Sequence, residues 1–291
     1  MLTTIKAEKR IEPGFGANRR TLRLALTLAG ALALAACQSS SPEAELDRAA
    51  VDPSAGSEAN ISSLSAVIAQ DPSNAGAYNI RGTAFGRSGR YNEALRDFST
   101  ALSIDPNLYQ AYANRGLVYR RMGRADLALG DYNAAIRINP QYGSAYRQRG
   151  ALYRANGQTE LALQDFATAI SLSSSDAGAY YNRALVLQSQ GRHDLAIEDF
   201  TTAMALDPNL PEAFNGRGQS KLALNRDEEA LQDFAAAVNR NKESAAFWTN
   251  LGIAQLRLGQ REAGLASVRR GASLDPNYQP AKRALAQYAS A

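Results

Sequence analysis

The sequence predicts an all-α solenoid of six stacked helix pairs. Three observations carry this reading: a 34-residue period that runs without insertion from Ala75 to Tyr278, columns within it that keep one kind of side chain, and turn residues at fixed places. The blocks start at Ala75, Tyr109, Gly143, Ala177, Pro211 and Ala245. A unit of this length cannot bury both of its faces alone, so neighbours must stack.

The columns divide into large and small. The fourth place is aromatic in every block (Tyr78, Tyr112, Tyr146, Tyr180, Phe214, Trp248), and the twenty-fourth is large and apolar (Phe98, Tyr132, Phe166, Phe200, Phe234, Val268). Small residues hold the eighth place (Gly82, Gly116, Gly150, Ala184, Gly218, Gly252), the twentieth (Ala94 to Gly264) and the twenty-seventh (Ala101 to Gly271). Small residues let two helices approach, and the rings fill the space around that contact.

Each block reads as two helices. The first is expected to run from the aromatic column to a Gly-Arg or Gly-Gln turn, as at Gly89-Arg90, because glycine accepts the left-handed conformation that ends a helix. Block five has Asn225 there, the next best residue for that conformation. The second helix carries apolar residues at helical spacing (Ala94, Leu95, Phe98, Ala101, Leu102) and stops at Asp-Pro-Asn, since proline cannot continue it. Ser174 and Lys242 replace that proline in blocks three and five, which predicts looser turns there.

This pattern resembles the tetratricopeptide repeat family over about 204 of the 291 residues. The resemblance implies a right-handed superhelix whose concave face, lined by the first helices, binds extended or helical peptides. Block six departs in its second helix, with Gly264, Val268 and Gly271. An aromatic is expected at the eleventh place; it is present as Phe85, Tyr119 and Tyr153, then lost as Leu187, Lys221 and Gln255. Residues 58–74 match only a second helix and its turn, and read as an N-terminal cap. Residues 279–291 read as a short amphipathic capping helix with Lys282 and Arg283 turned to water.

Residues 1–36 stand outside this pattern. Six basic residues, Lys6 to Arg23, precede a 13-residue apolar run, Leu24–Ala36, too short to span a bilayer and suited to a secretory signal. Leu34-Ala35-Ala36 before Cys37, the only cysteine, resembles the bacterial lipobox, which implies cleavage before Cys37 and its lipidation. Two or three acyl chains anchor stably, whereas one is marginal. The residue after it is Gln38 rather than Asp, which by the family rule favours the outer membrane, facing the periplasm. Residues 37–57 are rich in Ser, Ala, Pro and acids and read as a flexible tether. Lipobox plus repeats together resemble NlpI-like outer-membrane lipoprotein adaptors.

Removal of the signal changes the charge argument. The whole chain carries a formal +4, but residues 37–291 hold 26 basic and 26 acidic residues. The basic balance therefore gives no reason to expect nucleic acid. Enzyme chemistry lacks an inventory: the one histidine, His193, reads as a solvated turn residue, and no metal-ligand spacing or cofactor motif is present. Gly216 to Lys221 faintly suggests a phosphate loop but lies inside a first helix.

A second regularity concerns charge. The seventh place is Arg and the twenty-third Asp in blocks one to five (Arg81/Asp97, Arg115/Asp131, Arg149/Asp165, Arg183/Asp199, Arg217/Asp233), and block six loses both, as Leu251 and Ser267. The arginines could form a ligand ladder, but joint loss favours the other reading, a salt bridge between the two helices of each block. Family geometry places Arg120, Arg121, Arg147 and Arg154, with Asn114 and Asn182, on the concave face, where Glu212 is the only acid. Asn amides hold a peptide backbone and Arg forks pair with carboxylates. These six residues are the candidate peptide-binding site. The expected partners are peptide segments of periplasmic or outer-membrane proteins, including peptidoglycan hydrolases or a protease. The alternative is an assembly lipoprotein for a pilus, secretin or outer-membrane machine.

Overall fold

The computed structural model describes residues 56–289; the signal segment, Cys37 and nearly all of the expected tether lie outside them. The described residues form fourteen helices and no strand. The first, α1, spans Glu58–Gln70. Six pairs follow: α2 (Ala75–Arg87) with α3 (Tyr91–Ile104), α4 (Tyr109–Arg121) with α5 (Ala125–Ile138), α6 (Gly143–Ala155) with α7 (Thr159–Leu172), α8 (Ala177–Ser189) with α9 (His193–Leu206), α10 (Pro211–Ala223) with α11 (Asp227–Arg240), and α12 (Ala245–Arg257) with α13 (Arg261–Leu274). The last helix, α14, is Gln279–Ala289.

First helices begin at the first residue of each block, three residues earlier than the aromatic column suggests. The cause is visible in blocks one, four and six, where Asn74, Asp176 and Ser244 accept from the N–H groups of Ala77, Ala179 and Phe247 and so fix the helix start. Every first helix ends on a left-handed residue: Gly89, Gly123, Gly157, Gly191 and Gly259 at φ from 72° to 77°, and Asn225 at 58°. The block-five turn without proline keeps the side-chain bond of the proline turns. Asn241 accepts from the Glu243 N–H at 3.0 Å, as Asp105 accepts from Asn107 at 2.9 Å, so this side-chain turn holds the geometry with or without proline.

The twenty-fourth-place side chains are fully buried. In four blocks the ring lies on the eighth-place glycine of its own block. A Cβ added at Gly82, Gly116, Gly150 or Gly218 would come within 2.9, 2.8, 2.8 or 2.7 Å of it. Block four has Ala184 at that place. There Phe200 meets Gly216 of the next block, where a Cβ would sit 2.5 Å from the ring, and packs against Tyr181 with centroids 5.9 Å apart. The glycine at Gly216 is thus room for a neighbour's ring and part of no phosphate loop.

Each first helix packs on the second helix of its block, on the second helix before it, and also on the first helix of the next block. Second helices are separated by the first helices between them. The closer approach therefore lies on the first-helix side, which becomes the inner side of the curve. At the C-terminal end α14 buries Ala281 and Ala284 against Leu256, Leu265 and Val268, with Lys282 and Arg283 exposed.

Candidate peptide-binding face

The repeated arginines belong to the scaffold. Each seventh-place Arg donates to both oxygens of the twenty-third-place Asp of its own block, at 2.6 to 2.9 Å in all five blocks. The Asp side chains are buried and the guanidiniums of Arg81, Arg115, Arg149 and Arg183 are held above their usual range by this bond. Aromatics cover the planar faces: Arg115 lies 5.5 Å from the Tyr112 centroid and 5.9 Å from Tyr119, and Arg149 repeats this with Tyr146 and Tyr153. That explains the eleventh-place column, and also its loss. In block five Lys221 stands there and its ammonium reaches Asp233 at 2.9 Å, while in block six Gln255 accepts from the Ser267 hydroxyl at 2.7 Å.

The six expected site residues fall into two groups. Four have internal partners. Asn114 donates to Asn79 Oδ1 and Thr83 Oγ1 on the preceding first helix, at 3.1 and 3.2 Å. Asn182 bonds the Gly178 carbonyl of its own helix at 2.7 Å. Arg121 donates to the Gly86 carbonyl at 3.2 Å, and Arg257 does the same to Leu222 at the equivalent place. These thirteenth-place arginines satisfy carbonyls at the C-terminus of the preceding first helix. Arg147 is paired through Nε to Asp176 at 2.7 Å, and its stem crosses Gly178. The remaining two, Arg120 and Arg154, occupy the same place in adjacent repeats. Both are exposed, and neither is paired with an acid among the described residues.

Two tyrosines lie beneath these cations. The Tyr132 ring is fully buried and its hydroxyl has no hydrogen-bond partner. Burial pushes that phenol up to about 12, and Arg120 and Arg147 pull it the other way. Tyr181 is likewise raised by burial and then by Glu212, with Arg154 opposing. Arg120 and Arg147 thus act on Tyr132, and Arg154 and Glu212 on Tyr181.

Farther along the inner face is a different surface. A groove of about 480 Å³ is lined by Gln188, His193, Gln219, Leu222, Ala223, Asn250 and Arg257. Its amides are largely committed: Gln188 donates to Gly216 O and Ser220 Oγ, and Asn250 to Asn215. Arg257 is neutralised by Asp227 at 2.9 Å. His193 is no solvated turn residue. It opens α9, is half-buried, and its Nδ1 is buried without a partner. Sequence reasoning missed it because a turn column is judged by exposure, and here the neighbouring first helices cover it. Asp176 and the Tyr132 hydroxyl were missed too. For Tyr132 a signal existed, since its column otherwise holds only Phe and Val.

The tetratricopeptide repeat family matches residues 109–142, 177–210, 131–164 and 215–278, and a further TPR repeat description matches 82–123 and 150–191. Together they leave only 211–214 uncovered between residues 82 and 278. The chain is a tetratricopeptide repeat protein. Two of the matched spans, 109–142 and 177–210, coincide with blocks two and four. No curated protein matches the sequence. Among solved structures, this tetratricopeptide repeat protein is similar to the APC/C hetero-tetramer Cut9-Hcn1, with 17% identity and a TM-score of 0.73 over 80% of this chain and 46% of that one. It thus spans about half of that chain's length. It is similar to Pseudomonas aeruginosa pilF (18% identity, TM-score 0.68, 75% of this chain and 99% of that one) and to PilW, a type IV pilus biogenesis factor (18%, 0.65, 72% and 98%). It also resembles YrrB, with 22% identity and a TM-score of 0.53 over 64% of this chain and 96% of that one. At these identities the likeness is one of fold.

Proposed function

We propose that this repeat protein is a lipid-anchored envelope adaptor that holds an extended, acid-bearing peptide segment of another envelope protein on its inner face. One observation carries the reading: Arg120 and Arg154 are exposed, lie at the same place one repeat apart, and have no internal acid, whereas every other arginine of the candidate set is engaged. Adjacent packed helices stand about 10 Å apart. An extended peptide covers that distance in about three residues. The matching ligand therefore carries carboxylates roughly three residues apart. YrrB, described as having an unusual peptide-binding site, supports the use of this fold for peptides. The anchor rests on the order Lys6 to Arg23, Leu24 to Ala36, then Cys37. No helix among the described residues is long and apolar enough to cross a membrane.

A second reading, an assembly lipoprotein for a pilus or related machine, is favoured by pilF and PilW, which match over 99% and 98% of their own lengths. Capture from solubilised envelopes separates the two by returning wall hydrolases and a protease or pilus subunits. Charge reversal at Arg154 must abolish that capture without lowering the urea midpoint; capture that survives the reversal excludes this face as the site. Cys37→Ala is expected to move the protein from the membrane to the soluble fraction, and retention after a high-salt wash would exclude lipidation as the anchor.

A further inference from the structure

At the twenty-fourth place block two differs from block three by one buried oxygen. Both carry an exposed arginine at the twelfth place, Arg120 and Arg154, but the ring beneath is Tyr132 in block two and Phe166 in block three. The hydroxyl is not needed for packing. The Tyr132 ring edge lies on Gly116 as the rings of Phe98 and Phe166 lie on Gly82 and Gly150. A buried hydroxyl without a partner is unfavourable, and this one has none. Arg147 is tied by Nε to Asp176 and is the less free of the two cations beside it. Arg120 has no such tie.

We propose that Tyr132 is the specificity-determining residue of the basic face: its hydroxyl receives one N–H of Arg120 when a ligand carboxylate takes the outer edge of that guanidinium. A guanidinium offers five donors in a fixed plane, so an inward acceptor and an outward carboxylate are served at once by different edges. Holding the inner edge fixes one rotamer of an exposed, flexible side chain before the carboxylate is engaged, and a site arranged in advance binds more tightly. Arg154 lacks this support, because Phe166 offers no acceptor. The two arginines are therefore unequal, with Arg120 the stronger carboxylate contact. This assignment rests on the acidic-peptide reading above.

The test uses a dye-labelled Ser/Gly octapeptide with two glutamates three residues apart, titrated by anisotropy against the purified protein, and its glutamine counterpart. Tyr132→Phe is expected to weaken the glutamate peptide about fivefold, the scale of one net hydrogen bond. It should not lower the urea midpoint, because Phe is the native residue at this place in four other blocks. Phe166→Tyr should tighten binding by giving Arg154 the same acceptor. Unchanged affinity in Tyr132→Phe, together with loss of binding in Arg154→Glu, overturns the role of the hydroxyl and leaves the peptide face standing. If the unaltered protein does not prefer the glutamate peptide to its glutamine counterpart, the acidic-peptide reading fails and this assignment fails with it.

Discussion

Blocks one to five and block six solve one problem by opposite means. In the first five, a bidentate Arg–Asp bridge joins the two helices, the twenty-fourth-place ring is fully buried, and the Asp carboxylate is buried. In block six the bridge is replaced by the neutral Ser267–Gln255 bond, and glycine replaces alanine at the twentieth and twenty-seventh places. The helices of block six close to the point where a Cβ on Gly252 would lie 2.7 Å from the Gly264 carbonyl, and one on Gly271 2.8 Å from that of Ala245. Block six needs no ion pair because backbone contact replaces it. The columns of a repeat are therefore coupled: a charge is lost together with its partner, and the space it held open closes.

The largest expected effect tests this coupling directly. Asp165→Ala leaves Arg149 half-buried and without its acid, and should cost about 3–5 kcal/mol. Ser267→Ala removes a neutral bond and should cost about 1 kcal/mol. Urea unfolding of the two variants measures the difference. Equal costs would mean that the bridges are ornaments of a scaffold held by packing alone. The double change Arg149→Met with Asp165→Leu should recover most of the loss, since a buried pair is worth little against apolar residues of similar size.

A smaller effect separates packing glycines from permissive ones. At Gly264 a Cβ would meet Leu256 Cγ at 2.6 Å and the Gly252 carbonyl at 2.9 Å, so Gly264→Ala should cost about 1–3 kcal/mol. Gly130, within α5, has nothing within 4 Å of the added atom. Gly130→Ala should instead stabilise by up to about 1 kcal/mol through helix propensity. A loss at Gly130 comparable to that at Gly264 would show that block six is not the closer-packed unit.

The same contrast marks what the sequence could tell. Columns are legible because every block repeats the same physical demand, so the helix pairs, the left-handed turns and the Arg/Asp partnership follow from the 34-residue register, the last from the joint loss at Leu251 and Ser267. What depends on one block alone is not repeated and was not read. Phe200 leaning on Gly216 is a consequence of Ala184 on the helix before it, and Arg147 finds Asp176 twenty-nine residues on, at the last place of its block, where other blocks place no acid. The basic face was legible as composition, from arginines gathered in first helices. Which of them are engaged was not, because Arg121 ends on a backbone carbonyl, and backbone acceptors leave no trace in side-chain columns.

The smallest effect concerns the junction between the two kinds of block. Asn225 ends α10 at a φ of 58°, where glycine would be easier, and replacing it by glycine should gain a few tenths of a kcal/mol from backbone conformation alone. However, Asn225 Oδ1 also accepts from Arg257 Nη2 of block six at 2.8 Å, within an exposed cluster that includes Asp227. An exposed bond of this kind contributes under about 1 kcal/mol. The two terms oppose, so Asn225→Gly in the unaltered protein should be close to neutral. In an Arg257→Ala background the bond is already gone, and the same substitution should stabilise. The difference between the two backgrounds, read by a double-mutant cycle, is the coupling between the last charged block and the neutral one. A coupling of zero would mean that Asn225 serves only the turn, and that block six docks on block five by packing alone.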